Sequence, residues 1–283
     1  MKKILVPTDF SKTAAMATDV AFDIAKRSGA SITLLHVIEE ATGGSFNVQG
    51  QIAGSNMADK LFTLKMIERA KSQMEKVVKD PKYAAVKVDG ELRVGNPYHG
   101  MRTIIAEQKV DLIIMGTAGQ TGVSNMLIGS NTEKVIRNSH CPVLTVQKKP
   151  VTSDFKSIVY ATAMLKDEEV FSRIVKNTQQ IYNAKIHLVR INTPGDFQRD
   201  EVVRDYMLKF AKTLGLKNYT INIYNDLSVE EGVIRFSDFI DADLIAIATH
   251  GRSGFAHVIA GSVAEEVASH SRRPVLTFVV KRK

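Results

Sequence analysis

The feature that most constrains this chain is that it repeats itself. Residues 4–10 (ILVPTDF) return as residues 158–164 (IVYATAM), and residues 30–37 (ASITLLHV) return as 184–191 (AKIHLVRI), both at an offset of 154. Further along the offset becomes 132. There VDLIIMGTAG at 110–119 matches ADLIAIATHG at 242–251, Gly129-Ser130 matches Gly261-Ser262, and CPVLT at 141–145 matches RPVLT at 273–277. Five blocks in one order describe two copies of one unit. The length of 283 residues agrees, at roughly 150 residues per domain. We expect domains over 1–149 and 155–283, joined by the short Lys/Pro/Ser connection KKPVTSD at 148–154. The drop from 154 to 132 puts 22 extra residues into the first copy, between about 38 and 94. Within that stretch, Ala41 to Ser55 holds four glycines and little periodicity, and it reads as a long mobile loop.

Inside each copy strands alternate with helices. Ile4-Leu5-Val6 is a short buried run. Ala14 to Arg27 has apolar residues at helical spacing, closed by Ser28-Gly29. Ile32 to Ile38 reads as a strand, and Met57 to Val78 as a long helix with Leu61, Leu64, Ile67 and Met74 on its core side. Val86 to Val94 alternates as a strand should, Asn96-Pro97 opens a helix, and Leu112 to Met115 is apolar throughout. A helix follows Ser130, and Pro142 to Val146 is the last strand. Continuous apolar strands between helices indicate a parallel sheet covered on both faces. The expected fold is α/β: two tandem Rossmann-like domains, each a five-stranded, mainly parallel sheet. The last strands, Val143–Val146 and Val275–Val279, are expected to pair the copies into an intramolecular pseudo-dimer, because a free edge this apolar invites aggregation.

Composition narrows the class. The chain is 44% apolar and 24% charged, which suits a globular protein rather than a disordered one. No run approaches a membrane span, and Ile4-Leu5-Val6 after Met1-Lys2-Lys3 is too short for a signal-peptide core. One cysteine, Cys141, excludes an internal disulfide and a CxxC metal motif, so the expected location is the cytoplasm. The net charge of +8 divides as 20 Lys and Arg against 14 Asp and Glu in residues 1–150, and 18 against 16 in the remainder. The basic residues are scattered and carry no interleaved aromatics, so neither nucleic acid nor membrane is an expected partner.

Open parallel sheets bind ligands beyond the carboxyl ends of their strands. In the first copy, MGTAGQTGVSNMLIGSNTE follows the fourth strand, with Gly116, Gly119 and Gly129-Ser130 in the spacing G-x2-G-x9-G-S. Glycines let a backbone approach a ligand, and a helix opening at Ser130 offers free N–H groups to phosphate. Asp9 would lie at the same edge, able to accept hydrogen bonds from a ribose or base. The same residues also serve packing: Ser130…Glu133 and Ser262…Glu265 each spell a capping box, and the glycines could merely shape turns.

Taken together, PTDFS, LLHV, VGNP at 94–97, IIMGTAG and GSNTEKVIRNSHCPVLTV resemble the universal stress protein family over nearly the whole chain, in tandem. The glycine spacing is similar to that family's ATP-binding signature. The resemblance implies an ATP-binding stress-response or regulatory protein, taking ATP alone or with Mg. Its nucleotide-binding residues would be Pro7, Thr8, Asp9, Val37, Met115, Gly116, Gly119, Gly129, Ser130 and Asn131. A homodimer of chains would also be in keeping with the family. Ala118 departs from the family's frequent histidine. The second copy departs further, with Ala163 for the acidic residue and Ala248 for the first glycine. A second site there would use Thr162, Ile191, Gly251, Arg252, Gly261, Ser262 and Val263.

No Walker A, HExxH, GxSxG or GxGxxG pattern occurs, and no catalytic residue or metal site is expected. His187 and His250 would meet only if the second and fourth strands of their copy were neighbours. Met101, Met115 and Met126 read as core or loop packing. Two other readings stay open: a slow ATPase or an enzyme acting on a nucleotide-containing metabolite, and a nucleotide-free scaffold.

Overall fold

Apolar runs of four to eight residues, each cut off by a capped helix, become the strands of one sheet. The computed structural model describes residues 1–39, 57–117, 130–147, 154–164, 168–250 and 260–280, with the backbone alone at 57–60, 130, 249, 250 and 260–262. The first copy runs β1 (Lys3–Pro7), α1 (Lys12–Ser28), β2 (Ser31–Ile38), α2 (Met57–Val78), β3 (Val88–Val94), α3 (Pro97–Gln108), β4 (Leu112–Gly116), α4 (Ser130–Asn138) and β5 (Val143–Val146). The second runs β6 (Ser157–Ala161), α5 (Glu169–Tyr182), β7 (Lys185–Asn192), α6 (Asp200–Leu214), β8 (Tyr219–Asn225), α7 (Val229–Phe239), β9 (Leu244–His250), α8 (Ala260–His270) and β10 (Val275–Val280). Local chemistry sets the ends. Ser11 Oγ accepts the Ala14 N–H at 3.2 Å to start α1, and Gly29, at φ 71°, closes it in the left-handed region. Asn96 Oδ1 accepts the His99 N–H at 3.1 Å ahead of Pro97.

The strand order is β3-β2-β1-β4-β5-β10-β9-β6-β7-β8. All neighbours within a copy are parallel. The copies meet at β5 and β10, which are antiparallel with Leu144 opposite Leu276. The expected pseudo-dimer is therefore present, and the two five-stranded sheets form one sheet of ten. β5 lies in its interior, not at an edge. Cys141, just before it, is buried with Sγ 3.3 Å from the Val110 carbonyl, and burial pushes its thiol up to about 12. Both copies tie their first strand to the fourth in the same way. Asp111 Oδ2 accepts the N–H groups of Lys2 and Lys3, and Asp243 Oδ2 accepts those of Lys156 and Ser157.

Helices cover both faces. Ile4, Ile32, Leu112 and their second-copy counterparts Ile158, Ile186 and Leu244 pack under α1, α2, α5 and α6. Leu5, Ile113, Val159 and Ile245 pack under α3, α4, α7 and α8. On the second face Arg137 of α4 holds Glu265 of α8 with two hydrogen bonds, of 2.8 and 2.6 Å, and also pairs with Glu133 at 3.1 Å. Both glutamates thus pair with arginine; the side chains of Ser130 and Ser262, which the expected capping boxes also need, lie outside the described residues.

The sequence misread α2. Leu61 and Leu64 are 52% and 56% exposed, while Ala70 and Met74 are buried. The core stripe runs through Met66, Ala70, Met74 and Val77, at spacings of four and three; of the expected core positions Met74 belongs to it and the two leucines do not. The extra length of the first copy is also more distributed than expected. α2 has 22 residues against 15 in α6, and a 3₁₀ turn at Pro81–Tyr83 lengthens the return to β3. The glycine-containing segment Ala41–Ser55 lies outside the described residues.

His187 and His250 do not meet. β6 separates their strands, and His187 stands near the start of β7 while His250 ends β9. His187 Nδ1 lies 3.0 Å from Thr220 Oγ1, and burial with Lys185 nearby holds its pKa below the ordinary value. In the unfolded chain it therefore takes up its proton at higher pH. This contribution is complete above about pH 6.5 and is lost as the pH falls toward the lower folded value. His187→Gln is expected to flatten the fall of Tm below that pH, read by thermal melts across a pH series. The seam yields a second prediction. Residues 1–147 expressed alone will self-associate through the bared β5 edge, and a monomeric mass by light scattering at all concentrations would contradict it.

Candidate functional site

The chain leaves β1 toward β2 on one side and returns to β4 on the other, so the crevice of the first copy lies beyond the ends of β1 and β4. A cavity of about 640 Å³ lies there. Pro7, Thr8 and Asp9 line it after β1, and His36 and Val37 at the end of β2. Met115, Gly116 and Thr117 line it after β4, and Asn131 and Thr132 at the start of α4. α2 adds Met66, Arg69, Ala70 and Gln73, and α3 adds Met101.

The segment after β1 is held firmly. The Thr8 N–H donates to the Leu35 carbonyl at 2.8 Å, the Phe10 N–H to Thr8 Oγ1 at 3.0 Å, and the Ser11 N–H to Asp9 Oδ1 at 2.9 Å. Phe10 takes φ 60°, an unfavourable conformation for an aromatic residue, with its ring 4.7 Å from that of His36. His36 Nδ1 lies 2.7 Å from the Thr8 carbonyl. A carbonyl only accepts, so Nδ1 carries the proton. The Thr8 hydroxyl hydrogen has no acceptor among the described residues.

Gly116 is required by packing. A Cβ there would lie 2.9 Å from the backbone carbonyl carbon and oxygen of Thr13, so α1 could not approach the end of β4 as it does. This close approach brings Thr13, Gly116 and the cavity wall together. Thr132 Oγ1 donates to the Gly116 carbonyl at 3.3 Å. Thr117, 2% exposed, has an Oγ1 with no hydrogen-bond partner among the described residues. Buried hydroxyls are rarely left so unless something else reaches them.

Of the residues expected from sequence, Pro7, Thr8, Asp9, Val37, Met115, Gly116 and Asn131 line this one cavity. Gly119, Gly129, Ala118 and Met126 lie outside the described residues, and Ser130 opens α4 with its backbone alone described. Sequence reasoning missed Arg69, which has no ion pair among the described residues, and Thr117 and Thr132. The Met66–Ala70–Met74 spacing was the signal that would have turned Arg69 and Gln73 toward the crevice.

The second copy is built differently at the equivalent edge. Thr162 and Ile191 are 8% and 5% exposed, and Ile191 is packed where a Cβ on Gly232 would come within 2.6 Å of it. Val263 packs against the core. α8 begins at Ala260, so Gly261 and Ser262 fall within its first turn, not at its start. Gly251 and Arg252 lie outside the described residues. Glu168, 1% exposed, accepts hydrogen bonds from the Tyr160 hydroxyl at 3.0 Å and the Thr162 hydroxyl at 2.7 Å. Burial and this carboxylate push the Tyr160 hydroxyl well above its ordinary pKa, so it stays a donor. Among the described residues no group of three His, Cys, Asp or Glu could hold a metal ion, and no helix is long and apolar enough to cross a membrane.

Known proteins match both copies. The model of the universal stress protein family matches residues 1–147 and again 154–279. Universal stress protein MJ0577 of Methanocaldococcus jannaschii is 37% identical over 155 residues, covering 52% of this chain and 96% of that protein. MJ0531 of the same organism is 33% identical over 147 residues, covering 52% and 82%. In fold, a universal stress protein from Archaeoglobus fulgidus superposes with a TM-score of 0.74 at 20% identity, over 98% of both chains. Another from Pseudomonas aeruginosa gives 0.63 at 14% identity, over 99% of this chain and 94% of that one. With both halves matched by the family's model, the chain belongs to the universal stress protein family, as a tandem member.

Proposed function

We propose that the protein is an ATP-binding regulatory protein that holds one nucleotide in the crevice of its first copy and does not hydrolyse it efficiently. The observation that carries this reading is the single cavity in which separate segments after β1, β2 and β4 and on α4 converge, with an orphaned hydroxyl, Thr117 Oγ1, on its wall. Val37, Met66, Met101 and Met115 give the apolar surround a base requires, and the Arg69 guanidinium can stack on it. Asp9 accepts from ribose or base. Thr117, Asn131, Thr132 and the start of α4 face the phosphates, where helix N–H groups and dipole favour negative charge. Gly119 and Gly129 complete the signature on this reading. The carboxylates on the cavity wall, Asp9 and Glu39, follow β1 and β2, whereas the phosphates on this reading lie after β4 and at the start of α4, which argues against a general base at the γ-phosphate. Occupancy of the crevice, not turnover, is the property available for signalling.

Calorimetric titration of the full chain with ATP, with and without Mg²⁺, should give one site. Asp9→Ala should weaken it about tenfold, the worth of one charge-assisted hydrogen bond, and Arg69→Ala about three- to tenfold. No heat, together with no nucleotide released from denatured protein, would refute the reading. Gly116→Ala tests the packing role separately. It should lower stability by ~1–3 kcal/mol in chemical denaturation with no nucleotide present, because α1 must move away from β4.

A further inference from the structure

The two copies present the same backbone at the end of their first strand and fill it differently. Phe10 and Met164, 154 residues apart, share a left-handed φ of 60° and 61°. Thr8 Oγ1 and Thr162 Oγ1 each accept the N–H two residues on, at 3.0 and 2.8 Å. At the far end of the next helix Gly29 and Asn183 keep the same offset, again left-handed. The register therefore runs through Ala14 and Glu168. Ala14 is a cavity-lining methyl in the first copy. In the second copy its counterpart is a buried carboxylate held by two hydroxyls, one of them from Tyr160, where the first copy has Val6.

We propose that Glu168 is an internal ligand. Its carboxylate takes, in the second copy, the acceptor place that a nucleotide oxygen takes beside Thr8 in the first, and so restricts the chain to one nucleotide. This rests on the reading of the first copy given above. The Thr8 hydroxyl has no acceptor among the described residues, whereas the equivalent Thr162 hydroxyl donates to Glu168 at 2.7 Å. A nucleotide oxygen brought to that place would find its donors engaged and a carboxylate beside it, both unfavourable in a water-poor crevice. Ala163 and Ala248 remove favourable features from the second crevice, but neither fills it. Glu168 does, and two hydroxyls of its own copy already donate to its Oε2.

The test is an exchange, read by calorimetry with ATP on the full chain. Glu168→Ala should raise the stoichiometry from one to two sites. Val6→Tyr with Ala14→Glu, which rebuilds the second copy's arrangement in the first, should weaken the existing site at least ~30-fold, a change of ~2 kcal/mol, while circular dichroism shows a folded protein. If Glu168→Ala does not fold, Tyr160→Val with Glu168→Ala, the first copy's own pair, takes its place. A folded Glu168 variant that keeps the wild-type stoichiometry up to millimolar ATP overturns the inference, as does a Val6/Ala14 variant that binds like wild type. Should the wild-type chain take up no ATP, the reading of the first copy fails on its own. The Glu168 variant then decides: one new site sustains the internal-ligand role and none overturns it.

Discussion

Everything else in this molecule depends on the antiparallel pairing of β5 with β10. Each copy ends in an apolar strand that would otherwise be a bare edge, and the two edges satisfy one another. The pairing is reinforced symmetrically: Thr145 Oγ1 donates to the Val275 carbonyl at 3.2 Å, and Thr277 Oγ1 to the Val143 carbonyl at 3.3 Å. Because the pairing is antiparallel, the carboxyl edges of the two half-sheets point in opposite directions. A ligand in one crevice is therefore far from the other, and each copy is free to evolve its own site while sharing a core.

The architecture was largely legible in the sequence because it is written in quantities that one residue cannot alter. Repeat offsets, apolar runs and helix punctuation gave the element order and the seam. What escaped depends on direction, not pattern. The leucines of α2 suggested the wrong face, since Leu61 and Leu64 are among its most apolar side chains by type, and only the Met66–Ala70–Met74 spacing pointed inward. The site was legible to the extent that it lies at strand ends. Pro7, Asp9, Val37 and Met115 were found from topology and family resemblance, whereas Arg69 reaches the crevice from a helix that neither consideration brought there.

Two residues show how far a sequence role and a structural role can differ. Gly116 had been read as a place where backbone meets ligand, but its missing side chain is required by Thr13 of α1. The glycine also stays on the cavity wall, where the close approach it permits brings α1 against the end of β4. Glu168 shows the reverse. It lies in an undistinguished acidic stretch, yet it is among the most buried charged side chains of the described residues and takes both hydroxyls of the strand end beside it. Spacing rules see glycines easily. They cannot see a side chain that folds back into a space its counterpart leaves open.

Arg137 sits against two glutamates that are each other's counterparts, Glu133 and Glu265, while its own counterpart is Ser269. One cation thus serves a position that the duplication made twice. If two second halves were to pair through β10, two copies of Glu265 would face each other across the seam with no arginine between them. Two first halves would bring an arginine each. The seam is therefore polarised: a pairing of second halves would lack the cation that the first half brings to Glu265, which favours the covalent tandem as a matched pair of unequal partners.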